Sequence, residues 1–189
     1  MMDGMKRALD TRKVDMRALK VASSTILTLA IMAAIFSFSA QSGGESGSLS
    51  DAVARMLASA FVGGFDAMPS EQQAQLIAQM SWPIRKTAHA SEYACLAISL
   101  VITCWQIAAW RSEAMGGAGL CLRRIPFVGV TAFALAVLYA CSDEIHQLFI
   151  DGRAGQVADV LVDASGAAIG CLLMCLLMWR FMIGCMRQH

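Results

Sequence analysis

The ionisable and amide side chains of this sequence gather in a few short stretches of an otherwise apolar chain. One stretch holds Arg85, Lys86, His89, Glu92 and Tyr93, a second Asp143, Glu144, His146 and Gln147, and a third Gln156, Asp159 and Asp163. Arg153 stands between the last two. Separations of three, four and seven residues place such groups on one face of a helix. His89 with Glu92, and Asp143 with His146, are i, i+3 pairs of metal-ligating type, although no HExxH accompanies them. His89 can equally act as a general base oriented by a carboxylate, with Arg85, Lys86 or Arg153 stabilising a phosphate or a developing anion. The bland alternative is an ion-paired plug, in which Arg85, Lys86 and Arg153 neutralise Glu92, Glu144, Asp159 and Asp163. Ser91 has no nucleophile elbow or Ser/His/Asp spacing around it. No Walker loop or dinucleotide-binding glycine pattern occurs, and no motif identifies a cofactor.

Those groups need elements to hold them, and composition says in which solvent. Residues of the AVILMFWYC set make up 57% of 189 residues and charged residues 15%, with a mean hydropathy of +0.57. Counting Gly in place of Tyr, the apolar share is roughly 64%, against 45–50% for soluble domains. A net charge of +1 excludes the basic surplus of a nucleic-acid binder, and so apolar a chain is not disordered. The expected fold is all-α, a polytopic bundle of four transmembrane helices, because a bilayer core of about 30 Å takes roughly 20 apolar residues in a helix. Four stretches qualify, near residues 19–40, 84–110, 126–150 and 156–183. The first is read as an uncleaved anchor, since its apolar run exceeds a signal peptide's. No internal repeat or second domain is evident.

Lysines and arginines set the orientation. The basic tail 1–18 with Lys20 just beyond it, the loop after the second span and the C-terminal tail together place eleven on one side, and four (Arg55, Arg85, Lys86, Arg153) fall on the other. Both termini are therefore expected in the cytoplasm, with loop 41–83 outside. This loop opens on SGGESGS, read as flexible, and continues with Leu49, Val53, Met56, Leu57, Ala60 and Phe61 at helical spacing until Gly63-Gly64. After Pro69, Ser70 with Gln73 has the form of a capping box, and Leu76, Ile77 and Met80 make a second apolar stripe. Two short amphipathic helices follow, lying on the membrane or packed on the bundle as a lid. The polar stretches then fall at the outer end of three spans: Asp143 lies about 26 Å along its helix from Pro126 at 1.5 Å per residue. Gly166-Ala-Ala-Ile-Gly170 is a small-xxx-small face suited to close helix approach. Six of seven cysteines lie in or beside apolar runs, as packing residues, and Cys121 is in a basic loop.

The ordered set Lys86-x-x-His89-x-x-x-Tyr93, Asp143-Glu144-Ile-His146-Gln147, Arg153, Asp159, Asp163, Gly166 and Gly170 resembles the VanZ-like membrane family, as does Ser39-Ala-Gln41-Ser42 leaving the first span. The resemblance covers about residues 19–183; Asp163 stands where many relatives carry Asn. It implies a small multi-pass protein of the bacterial cytoplasmic membrane, associated with resistance to glycopeptide antibiotics, teicoplanin in particular. Together these readings predict an outward-facing polar chamber that binds or modifies an envelope molecule, such as a lipid-linked cell-wall precursor or a lipid headgroup. The expected partners are the lipid bilayer, such a substrate or the antibiotic itself, and no nucleic acid. A non-enzymatic resistance or accessory factor is the alternative. Glu144 and His89 are the first choices for proton handling, with Asp159 as carboxylate partner. Lys86 and Arg153 are expected anion contacts, and Arg85, Glu92, Tyr93, Asp143, His146, Gln147 and Asp163 are expected to complete the binding surface.

Overall fold

A computed structural model describes residues 2–114 and 122–186 of the chain; Cys121 and Arg187 lie outside the described residues. Five helices follow one another: α1 (Met2–Ser39), α2 (Gly43–Phe61), α3 (Ser70–Ala114), α4 (Ile125–Gln147) and α5 (Val157–Met186). Short 3-10 turns at Phe65–Ala67 and Leu122–Arg124 precede α3 and α4. No strand occurs among the described residues. Four segments are long and apolar enough to cross a membrane: Met16–Ser39, Ser70–Ser112, Leu122–Gln147 and Val157–Gly184. Large side chains such as Ile26, Leu29, Phe127, Leu138, Leu161 and Phe181 stand exposed on them, as a lipid-facing surface requires.

The loop between the first two spans differs from expectation in three ways. SGGESGS is helical from Gly43, because Ser42 and Glu45 form a reciprocal capping box: Ser42 Oγ accepts from the Glu45 N–H at 3.3 Å, and the Glu45 carboxylate accepts from the Ser42 N–H at 2.9 Å. Gln73, by contrast, makes no capping box with Ser70. Its amide donates to the carbonyls of Phe65 and Met68, both at 3.1 Å, and so ties down the 3-10 turn. Finally, the second outer helix is not separate, since α3 runs unbroken from Ser70 through Pro83 into the span. Pro83 costs the helix one backbone donor, but Ala54, Ala58, Phe65 and Ile77 with Leu76, Met80 and Ile84 pack the turns before it against α2. Packing therefore keeps α3 continuous where its local sequence would stop it. At 1.5 Å per residue α3 is about 68 Å long, so it extends well beyond a hydrocarbon core of about 30 Å.

Helix α3 is the axis of the molecule and packs against the other four. Its Ser70–Ala114 body buries Tyr93, Leu96, Ala97 and Val101 against the alanine stripe Ala132, Ala136 and Ala140 of α4 and Ala167 of α5. The expected small face of α5 meets α3 without clearance: a Cβ on Gly166 would stand 2.0 Å from the Ala90 carbonyl oxygen, and one on Gly170 2.4 Å from that of Ala94. Polar ties join α1 to its neighbours. Ser24 donates to Gln106 at 3.0 Å, Thr28 and Thr103 share a hydrogen bond of 3.1 Å, and the Tyr139 hydroxyl donates to the Met32 carbonyl at 2.7 Å. These pairings give directions: α3 and α5 run parallel, and α1 and α4 run together against them. The end of α1, the start of α5, the last turns of α4 and residues 85–93 of α3 consequently meet at one end of the bundle, and α2 covers it.

Candidate functional site

Three turns of α3 deliver Arg85, His89 and Glu92 to a single cavity of about 190 Å³. The i, i+4, i+7 spacing that put them on one face in the sequence puts them on one wall here. Asp143 of α4 and Arg153 of the α4–α5 connection close the polar side. The rest of the wall comes from Ser39 and Gln41 at the end of α1 and from Ser46 and Ser50 on α2. Ser46 and Ser50 gave no signal of their own in the sequence, whereas Ser39 and Gln41 belong to the exit motif already noted. Ile35, Phe38, Leu49, Val53 and Ile84 supply an apolar margin.

Of Glu144 and His89, expected to handle protons, and their expected carboxylate partner Asp159, His89 alone lines this cavity. Its Nδ1 lies 3.6 Å from Oδ1 of Asp163, which is fully buried behind it on α5. That separation is an ion-pair contact and too long for a hydrogen bond. Asp159 is instead paired with Lys86, and the Lys86 ammonium also sits 5.8 Å from the ring centroid of Trp82. Glu144 faces α5, where its carboxylate accepts from the backbone N–H of Gln156 at 2.8 Å. It therefore holds one of the free donors at the helix start, and a separate shallow groove, not the cavity, borders it.

The remaining expected residues divide between scaffold and wall. Gln147 is a junction: its amide nitrogen is 3.3 Å from both Asp143 Oδ2 and Glu144 Oε1, and its oxygen accepts from Arg153 at 3.4 Å. Arg153 also donates to the carbonyls of Gln41 at 2.9 Å and Phe38 at 3.1 Å, the latter of which also accepts from the Gln41 N–H at 3.3 Å. Burial, with the neighbouring Arg85 guanidinium as a further cause, draws the Arg153 pKa below the ordinary arginine value; an arginine nonetheless stays charged. The same corner is sealed by backbone: the Gly43 N–H donates to the Asp151 carbonyl at 3.0 Å, and a Cβ on Gly43 would fall 2.0 Å from the carbonyl oxygen of Gly152. His146 points to α1 and stacks on Phe36, ring centroids 4.5 Å apart. Tyr93 is fully buried, with its ring 6.2 Å from that of Tyr139.

Several buried polar atoms around the cavity have no hydrogen-bond partner: Ser39 Oγ, Arg85 Nε, His89 Nδ1, Asp143 Oδ1 and both carboxylate oxygens of Asp163. Leaving such groups unpaired is costly, and Ser39, Arg85, His89 and Asp143 among them line the one cavity. Among the described residues, no three His, Cys, Asp or Glu side chains converge as a metal centre; the His89–Glu92 and Asp143–His146 pairs stay separate, with His146 turned to Phe36.

Set against known proteins, residues 24–178 match the VanZ/LLP1 family model. No curated protein and no solved structure matches the chain. The family match reaches into all four membrane-crossing segments and includes every wall residue of the cavity. This chain belongs to the VanZ/LLP1 family.

Proposed function

We propose that the protein holds the polar headgroup of a cell-envelope molecule in the cavity between α1, α2, α3 and α4, and that it binds or modifies that molecule at the outer face of the cytoplasmic membrane. One observation carries the reading: Arg85, His89, Glu92 and Asp143 line a single cavity in a bundle that spans the membrane, with polar atoms still unpaired. Ionisable groups inside a bilayer are expensive, and a shared polar site is the usual reason to keep them. In this reading His89 moves protons at the cavity wall, with Asp163 packed behind it on α5. A contact that is loose without substrate tightens when substrate binds. Glu144, Asp159 and Lys86 act as positioning residues that fix α4, α5 and α3 around the site. Glycopeptide resistance, with teicoplanin as the test drug, enters through the family resemblance: altering or masking an envelope headgroup changes what the antibiotic meets.

A non-enzymatic accessory role is the second reading. It is favoured by how many of the charges are satisfied internally, Lys86 by Asp159 and Arg153 by three acceptors. Purified protein is incubated with a panel of lipid-linked cell-wall precursors, and products are read by mass spectrometry. In parallel, teicoplanin tolerance is measured in a sensitised host carrying wild type or His89→Gln at equal membrane abundance. The enzymatic reading expects turnover by wild type and loss of both turnover and tolerance in His89→Gln. Binding without turnover, with tolerance retained in His89→Gln, favours the accessory role. Neither binding nor tolerance from wild type would sink the envelope reading.

A further inference from the structure

The cavity wall carries both signs of charge without pairing them to each other. Arg85 makes no hydrogen bond or ion pair among the described residues, and its Nε is buried. Glu92 lines the same cavity and likewise makes neither. Asp143 has one oxygen near Gln147 and the other buried and unpartnered. Arg153 differs, since all three of its guanidinium nitrogens already donate. A plain anion entering this space meets Arg85 but also two carboxylates, and a plain cation meets the carboxylates but also two guanidiniums. Either one leaves part of the wall unsatisfied, at a cost that rises with burial.

We infer that the cavity recognises a zwitterionic phospho-amine headgroup, with Arg85 holding the phosphate and Glu92 together with Asp143 holding the ammonium. The inference rests on the proposed binding role of this cavity and names the class of molecule it takes. A guanidinium matches phosphate with paired N–H donors, and an ammonium supplies N–H donors to Glu92 and to the unpartnered oxygen of Asp143. Two helical turns, about 10 Å of rise, separate Arg85 from Glu92 along α3. The phosphate therefore sits toward the end covered by α2 and the ammonium deeper in the bundle. Gly47 of α2 has no side chain to crowd the site, and a Cβ there would stand 3.4 Å from the Arg85 guanidinium. Ile35, Phe38 and Leu49 along the same cavity give the apolar part of an amphiphile a surface to lie on, which points to a lipid as the source of the headgroup.

The test is binding to the full-length protein in detergent, with dihexanoyl phosphatidylethanolamine, phosphatidylglycerol and phosphatidylcholine as lipid probes and free O-phosphoethanolamine as the soluble one. Phosphatidylethanolamine is expected to bind about tenfold more tightly than phosphatidylglycerol, the effect of one added charge-assisted contact. Phosphatidylcholine, whose trimethylammonium has no N–H, is expected to fall behind phosphatidylethanolamine. Arg85→Gln weakens both phosphatidylethanolamine and phosphatidylglycerol, whereas Glu92→Gln removes the preference between them and leaves phosphatidylglycerol binding in place. Free O-phosphoethanolamine binding as tightly as the lipid keeps the headgroup assignment and makes a soluble ester its source. Equal binding of phosphatidylethanolamine and phosphatidylglycerol by wild type overturns the inference, even if either variant fails to fold, and leaves the headgroup cavity standing. Precursor turnover with no binding of any of these probes overturns the inference alone. If neither turnover nor binding occurs, the proposed function falls with it.

Discussion

Lys86 stands beside the cavity residue Arg85 on α3, yet it and Asp159 of α5 are spent on each other. Their side chains retain 19% and 16% exposure, so the pair is neither freely solvated nor sealed. Removing the lysine alone leaves a carboxylate facing Trp82 and α3. Lys86→Met should therefore destabilise by about 2 kcal/mol, less than the roughly 3–5 kcal/mol of a fully buried pair. Adding Asp159→Asn to it should recover most of the loss, which a double-mutant cycle of melting temperatures in detergent checks. A loss in the double variant equal to the sum of the two single losses would show that the pair contributes no coupling. The types of these residues and the helix end they occupy were legible from spacing alone. Which of them face the cavity was not, because periodicity gives a face but not what that face meets. Glu92 and Glu144 illustrate this: both are carboxylates at one end of a span, but Glu144 meets the unpaired N–H of Gln156, and only Glu92 meets the cavity.

At the scale of elements, the spans and the glycine face of α5 followed from hydropathy and from the Gly166–Gly170 spacing, since both depend on local composition. The loop did not follow, because the decisive contacts there are tertiary. Pro83 reads as a boundary until α2 is packed beside it, and SGGESGS reads as flexible until Ser42 and Glu45 bond reciprocally. Two outcomes check these contacts. Gly166→Ala, the smallest possible addition, forces a Cβ to 2.0 Å from the Ala90 carbonyl oxygen and should cost at least about 1–3 kcal/mol. Gly184→Ala, with nothing within 4 Å, should leave the melting temperature unchanged or raise it. Equal melting of the two variants would contradict the close α3–α5 approach. The capping box adds a pH dependence. The Ser42 backbone N–H and hydroxyl hold the Glu45 carboxyl below its ordinary 4.5, so the stabilisation is complete above that value and is lost as pH falls through the lowered one. Hydrogen exchange at the first turn of α2 should accelerate only on that acid side, and Glu45→Gln should abolish the step.

Taken as a whole, the molecule has a direction. Parallel α3 and α5, with α1 and α4 running against them, put every wall residue of the cavity at the end where α2 lies, while Arg111, Arg123, Arg124 and Arg180 sit toward the other end. Eleven of the fifteen lysines and arginines fall on that second side by the sequence count, and such an excess stays in the cytoplasm. The cavity end should then face outward, where an envelope headgroup and a glycopeptide both are. Met56 and Phe61 stand exposed on α2, and Trp82 beside it on α3, as apolar side chains do at a membrane interface on either side. Two single-cysteine variants decide the matter in a background with all native cysteines replaced. Ser48→Cys lies on the exposed side of α2, and Met186→Cys is exposed at the far end of α5. An impermeant thiol reagent should label Ser48→Cys on intact cells and Met186→Cys only after permeabilisation. The reverse pattern would turn the cavity to the cytoplasm, and any ligand would then have to come from the inner leaflet. Labelling of both on intact cells would mean that α5 does not cross the bilayer, and the parallel arrangement of α3 and α5 would no longer describe two membrane spans.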